Sequence, residues 1–83
     1  MAILKIKATD AAGQPIAGQA VKVTGCGELQ TGAGGVAQFL VEDDALLEIE
    51  INGVLSWAGS ASTLGREEVF NKTATGFVRA TGA

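Results

Sequence analysis

The fold is decided by residues 27–55, which read GELQTGAGGVAQFLVEDDALLEIEINGVL. This stretch holds three apolar runs separated by two turns: 36–41, 45–51 and the run that opens at Val54, with turns at Asp43-Asp44 and Asn52-Gly53. In the second run, apolar and polar side chains alternate with the period of two that is typical of a strand. The rest of the chain can be interpreted as strands that pack against this meander.

The dipeptide Asn52-Gly53 predicts a tight β-hairpin, because a type I′ turn needs two residues with positive φ. Direct pairing across this turn places Ile51 opposite Val54 and Glu48 opposite Trp57. If Ile49 and Ile51 face the core, the opposite face carries five residues that we predict to bind a partner: Leu46, Leu55, Trp57, Glu48 and Glu50. Trp is enriched at binding hot spots, and apolar residues grouped on an outer strand face indicate a partner. The alternative is that the tail, residues 56–83, covers this face as a second core layer.

Further strands are predicted on both sides of this hairpin, at 2–8, 20–24, 28–31, 36–42, 67–72 and 76–80. Phe39 is the expected centre of the core, and Leu29 is expected to point inward. No stretch keeps the helical period of 3.6 for three turns, so the only helix that remains possible is a single turn around 64–69. The sequence therefore predicts an all-β chain, with residues 1–83 forming one small antiparallel β-sandwich of about seven strands.

The order of these signals resembles a known family. The stretches concerned are TDAAGQPIAGQAVKVT, GELQTGAGGVAQFLVED and ALLEIEINGV, and the pattern positions are Asp10, Gly13, Pro15, Gly18, Val21, Thr31, Gly35 and Ala37. Over residues 7–53 the chain resembles the bacterial immunoglobulin-like domains of the invasin and intimin type, and it is similar there to carboxypeptidase regulatory-like and transthyretin-like sandwiches. The resemblance implies an immunoglobulin-like fold and an adhesive, spacer or display module. It carries over no catalytic residue, and it does not extend to the tail.

Composition and charge narrow the classes of partner. The chain has 83 residues with a net charge of -3, and its six basic residues are scattered, so we do not expect it to bind nucleic acid. A single Cys excludes an internal disulfide. No signal peptide and no apolar run long enough for a membrane helix is visible, so we expect no membrane insertion. The compartment is expected to be cytoplasmic for the sequence as given, or the cell surface or a virion for a fragment or a protein exported by another route.

The sequence offers little catalytic chemistry. It contains no His and no Tyr, which removes the usual general base and the usual metal ligand. Cys26 lies between two glycines and is either a reactive thiol or a small residue at a strand end; we favour the second, because no cation adjoins it in sequence. The acidic run Glu42-Asp43-Asp44 is either a weak Ca²⁺ site or a solvated turn, and the absence of EF-hand spacing favours the turn. For Glu67-Glu68 we likewise favour a solvated turn over a Ca²⁺ site.

These observations predict a non-enzymatic structural or interaction module without metal or cofactor. Its partner would be a second copy or another protein, either in a self-assembling structure or in a larger bacterial or phage surface or adhesive structure. Two alternatives stay open: an accessory or regulatory subunit of an enzyme complex, and a small-ligand or Ca²⁺-binding domain.

Overall fold

A computed structural model describes residues 2–79. Its strands are β1 (Ala2–Thr9), β2 (Ala20–Val23), β3 (Gly27–Gln30), β4 (Val36–Val41), β5 (Leu46–Ile51), β6 (Val54–Ser60), β7 (Glu67–Thr73) and β8 (Gly76–Arg79), with one 3-10 turn at Ala61–Thr63. The predicted strands are therefore present, although Ala80, the predicted end of the last one, lies outside the described residues. Across residues 2–79 there is no helix with the length and apolar character that a membrane span requires.

The strands form two four-stranded sheets that pack face to face as a sandwich, as predicted. Sheet A has the order β4-β1-β7-β8, and sheet B has the order β3-β2-β5-β6. The expectation of purely antiparallel sheets is wrong, because β1 and β7 run parallel. The 3-10 turn after β6 carries the chain from sheet B back to sheet A, so that β7 enters beside β1 in the same direction. Alternation and turn residues locate the strands along the chain. They do not determine whether two strands far apart in sequence pair parallel or antiparallel.

The core lies between the sheets and draws on both of them. Its largest fully buried side chains are Phe70, Ile6, Ile49, Ile51, Val21 and Val23. Phe39, which was expected in the core, is only 3% exposed and lies in this cluster with Ala37 and Val41 of the same strand face. The other face of β4 is open to solvent, since Leu40 is 60% exposed. The apolar run of β4 is therefore buried on one face only.

Hydrogen bonds hold two loops together beside the start of β2. The Thr31 hydroxyl is buried; it donates to the Ile16 carbonyl at 2.7 Å and accepts from the Gln19 amide at 3.0 Å. Gly35 has a φ of +76°, and a Cβ atom there would lie 2.8 Å from the Ala8 carbonyl oxygen. Both residues belong to the pattern identified in the sequence, and their roles here are to hold turns and strands in place.

Two local expectations need correction. Leu29 lies opposite Val21 and hence on the core side of sheet B, but it is 47% exposed because β3 is an edge strand. The possible helical turn at 64–69 is absent. The chain instead makes its 3-10 turn at Ala61–Thr63, where the Ser60 hydroxyl caps the Ser62 amide, and Glu67 already begins β7.

Candidate interaction surface

The β5–β6 hairpin determines which side chains reach the outer surface of sheet B. Its turn has the predicted conformation, with φ of 55° at Asn52 and 81° at Gly53. The pairs next to the turn, Ile51 with Val54 and Glu50 with Leu55, are also as predicted. Beyond them the register shifts by one residue, and Ile49 pairs with Trp57 instead of Ser56. Ser56 is therefore the extra residue of a β-bulge.

The bulge moves Trp57 from the predicted outer face to the core side of the sheet. A shift of one residue reverses the face of every later side chain, because side chains alternate with a period of two. Trp57 accordingly packs, half-buried, against the core. Its indole lies over Gly59, where a Cβ atom would come within 2.9 Å of the ring atom Cζ2. The prediction that Trp57 lies on the outer face is wrong, and the sequence signal that could have corrected it is this glycine two residues later.

The other predicted residues do share the outer face of sheet B. We call this surface the β5–β6 face; it comprises Leu46, Glu48, Glu50, Leu55 and Ala58. Leu46 is 80% exposed and Leu55 is 56% exposed. Leu55 pairs with Glu50, four residues along β5 from Leu46, so the two leucines lie about 14 Å apart along the strand. The structure thus places them on one surface with carboxylates between them, and they do not form a continuous apolar patch.

The tail does not cover this face over the residues that the structure describes. Its strands β7 and β8 lie in sheet A, on the other side of the core. The alternative of a second core layer built by residues 56–79 is therefore wrong.

A smaller apolar pair occupies the outer face of sheet A. Ile3 pairs with Leu40 across β1 and β4, and these side chains are 47% and 60% exposed. Lys5 pairs with Gln38 next to them, so polar side chains border the pair. The sequence predicted both strands, but it could not show that the two exposed side chains are neighbours.

Glu68 is the buried acidic residue that the sequence interpretation missed. It is 7% exposed, its Oε1 accepts from Arg79 Nε at 2.7 Å, and its Oε2 accepts from the Gly65 amide at 2.6 Å. The prediction of a solvated turn is therefore wrong for Glu68. The available signal was its alternation with Phe70 on one strand face. Because both carboxylate oxygens are hydrogen-bonded, the geometry indicates a structural role.

Cys26 lies at a strand end, and the acidic residues of the described chain form no group that could hold a metal ion. The half-buried Cys26 thiol donates to the Leu40 carbonyl at 3.2 Å and packs against the core, as a small residue at a strand end does. Within residues 2–79, no three His, Cys, Asp or Glu side chains are grouped so that they could hold a metal ion.

Two clefts lie beside the start of β1. The first has a volume of about 200 Å³ and is lined by residues that include Val41, Leu64 and Arg66. The second, of about 560 Å³, is open to solvent and lined by Ala2, Ile3, Lys5, Arg66 and Glu67. The first is smaller than the range of about 300–1,000 Å³ that is usual for small-molecule sites. The second falls within that range, but three of its five lining residues are exposed and charged.

Fold and surface together define a small two-sheet β-sandwich with leucines exposed on one outer face. The chain matches no protein-family model, and searches of curated proteins and of solved structures also gave no match.

Proposed function

We propose that this β-sandwich is a non-enzymatic structural or interaction module that associates through the β5–β6 side of sheet B. It would act as a self-assembling subunit or as a component of a larger bacterial or phage surface structure. The resemblance of residues 7–53 to invasin-type domains, which serve as adhesive or display modules, supports this class.

The observation that carries the proposal is the exposure of Leu46 and Leu55 on one strand-built surface. A single exposed leucine is ordinary in a soluble protein. Two on the same outer face, at 80% and 56% exposure, present apolar area that association would remove from water. Glu48 and Glu50 lie between the two leucines, so the contact region combines apolar and acidic side chains.

Sedimentation equilibrium from micromolar to millimolar protein tests the proposal. We expect reversible association of the wild-type chain, and we expect the double variant Leu46→Ser/Leu55→Ser to associate at least about tenfold more weakly, which corresponds to about 1.4 kcal/mol. The matched control is Ile3→Ser, which makes the same kind of change at a 47% exposed position on the other sheet. A wild-type chain that stays monomeric throughout and co-purifies with no protein would contradict the proposal.

A further inference from the structure

Strand β6 is an edge strand of sheet B, and some of its backbone amide and carbonyl groups point sideways, away from β5. Glu48 directs its backbone toward Thr24 at the end of β2: its amide donates to Thr24 Oγ1 at 2.9 Å, and its carbonyl accepts from the Thr24 amide at 3.1 Å. Ala58, which faces Glu48, must therefore direct its own amide and carbonyl away from β5. No described residue bonds to the backbone of Ala58 or Leu55 on this outer side.

The other three edges of the sandwich are blocked or short. On β4, the Val36 carbonyl accepts from the Gly32 amide at 3.1 Å, and the Leu40 carbonyl accepts from the Cys26 thiol. Strands β3 and β8 have four residues each and carry Glu28 and Arg79 respectively. Short strands, charged side chains and covering loops are the usual ways in which proteins protect a sheet edge.

Strand β6 has fewer of these protections. It has seven residues, Val54–Ser60, and none of them is charged. The bulge at Ser56 twists its first part, but the four residues from Trp57 to Ser60 keep a regular register with β5. An uncharged antiparallel strand can face an identical copy of itself without placing like charges opposite each other.

We propose that β6 pairs antiparallel with β6 of a second copy of this chain about a two-fold axis near Ala58, so that the two copies of sheet B form one continuous sheet. This inference rests on the proposed function and specifies its partner and geometry. Edge pairing leaves the glutamates of the two β5 strands three strand spacings apart, about 14 Å, which exceeds the Debye length of about 8 Å at physiological salt. Packing of two β5–β6 faces would instead bring these glutamates to about 10 Å across the interface.

Amide hydrogen exchange at Ala58 tests the pairing directly. We expect the exchange of the Ala58 amide to slow by at least about tenfold as the protein concentration rises into the associating range, because that amide becomes hydrogen-bonded. The Gln38 amide on the β4 edge is the matched control, and its exchange should not depend on concentration. In sedimentation, Ala58→Lys should be monomeric, whereas Gln38→Lys, with the same added charge on another edge, should associate like wild type. Ala58→Pro provides a second variant that should also be monomeric, because it removes the amide that pairing requires. The fold itself should tolerate this change, since proline is accepted where an edge amide has no partner.

The results separate this inference from the proposed function. Association that persists in Ala58→Lys and is lost in Leu46→Ser would overturn edge pairing and support packing through the face. A wild-type monomer that co-purifies with a different protein would overturn self-pairing and leave the proposed function in place. A wild-type monomer with no bound protein would overturn both.

Discussion

Trp57 lies directly opposite Ile49 across the β5–β6 hairpin, and both side chains belong to the core side of sheet B. This pairing removes the indole from the outer surface, where a hairpin without a bulge would place it. The surface that is left for a partner consists of the two exposed leucines, Ala58 and the β6 edge. The consequence for mutagenesis is that Trp57 should report on folding, whereas Leu55 and Ala58 on β6 should report on association.

Trp57→Ala should lower the free energy of unfolding by about 2–4 kcal/mol. Full truncation of a buried aromatic costs about 3–5 kcal/mol, and Trp57 is only half-buried. Urea unfolding followed by circular dichroism measures the change. Leu46→Ala is the control; at 80% exposure it should change stability by less than about 0.5 kcal/mol. Equal stability of wild type and Trp57→Ala would mean that the indole is not part of the core.

Three glycine-to-alanine substitutions separate backbone strain from steric clash. Gly34 has open space around its Cα, Gly13 has open space but a φ of +85°, and Gly35 combines a φ of +76° with a Cβ position 2.8 Å from the Ala8 carbonyl oxygen. We expect stability to be nearly unchanged for Gly34→Ala, reduced by about 1 kcal/mol for Gly13→Ala, and reduced by more than about 2 kcal/mol for Gly35→Ala. Thermal unfolding of the three variants checks this order, and a Gly35→Ala protein as stable as Gly13→Ala would contradict the close loop contact.

The sequence was sufficient to predict the strands, because period-two alternation and turn residues are local signals. Asn52-Gly53 predicted the first two pairs of the hairpin correctly, and Phe39 lies in the core as expected. The bulge at Ser56 could not be predicted in this way, since it depends on how the indole packs over Gly59 and the core. The parallel pairing of β1 with β7 and the burial of Glu68 likewise depend on contacts between residues far apart in the chain. The candidate surface was therefore predicted in part, with its leucines and glutamates correctly placed and its tryptophan misplaced.

Thr31→Val should destabilise the fold by about 1–3 kcal/mol. The substitution keeps the shape of the side chain but leaves the Ile16 carbonyl and the Gln19 amide without their buried partner. Chemical denaturation measures the loss. The control is Thr75→Val in the exposed β7–β8 turn, which should unfold at nearly the wild-type denaturant concentration. If both variants behaved alike, the buried hydroxyl would not hold the two loops together.

Glu68→Gln should destabilise the protein by about 1–2 kcal/mol. Breaking a fully buried ion pair costs about 3–5 kcal/mol, and the Arg79 side chain here keeps 34% exposure, so water replaces part of the lost interaction. The neighbouring Glu67 is exposed, and Glu67→Gln should show no measurable change in the same unfolding experiment. A larger effect from Glu67→Gln than from Glu68→Gln would contradict the assignment of the buried carboxylate.

The most direct test of the account is the register of the β5–β6 hairpin, because the register decides which side chains are available to a partner. In antiparallel sheets, the Cα atoms of a non-hydrogen-bonded pair are about 4.5 Å apart, and their Hα atoms give a strong nuclear Overhauser effect. The bulged hairpin predicts this signal between the Hα atoms of Glu48 and Ala58. The same signal between Glu48 and Trp57 would contradict the account, since it would return the indole to the outer face and move Ala58 off the proposed contact.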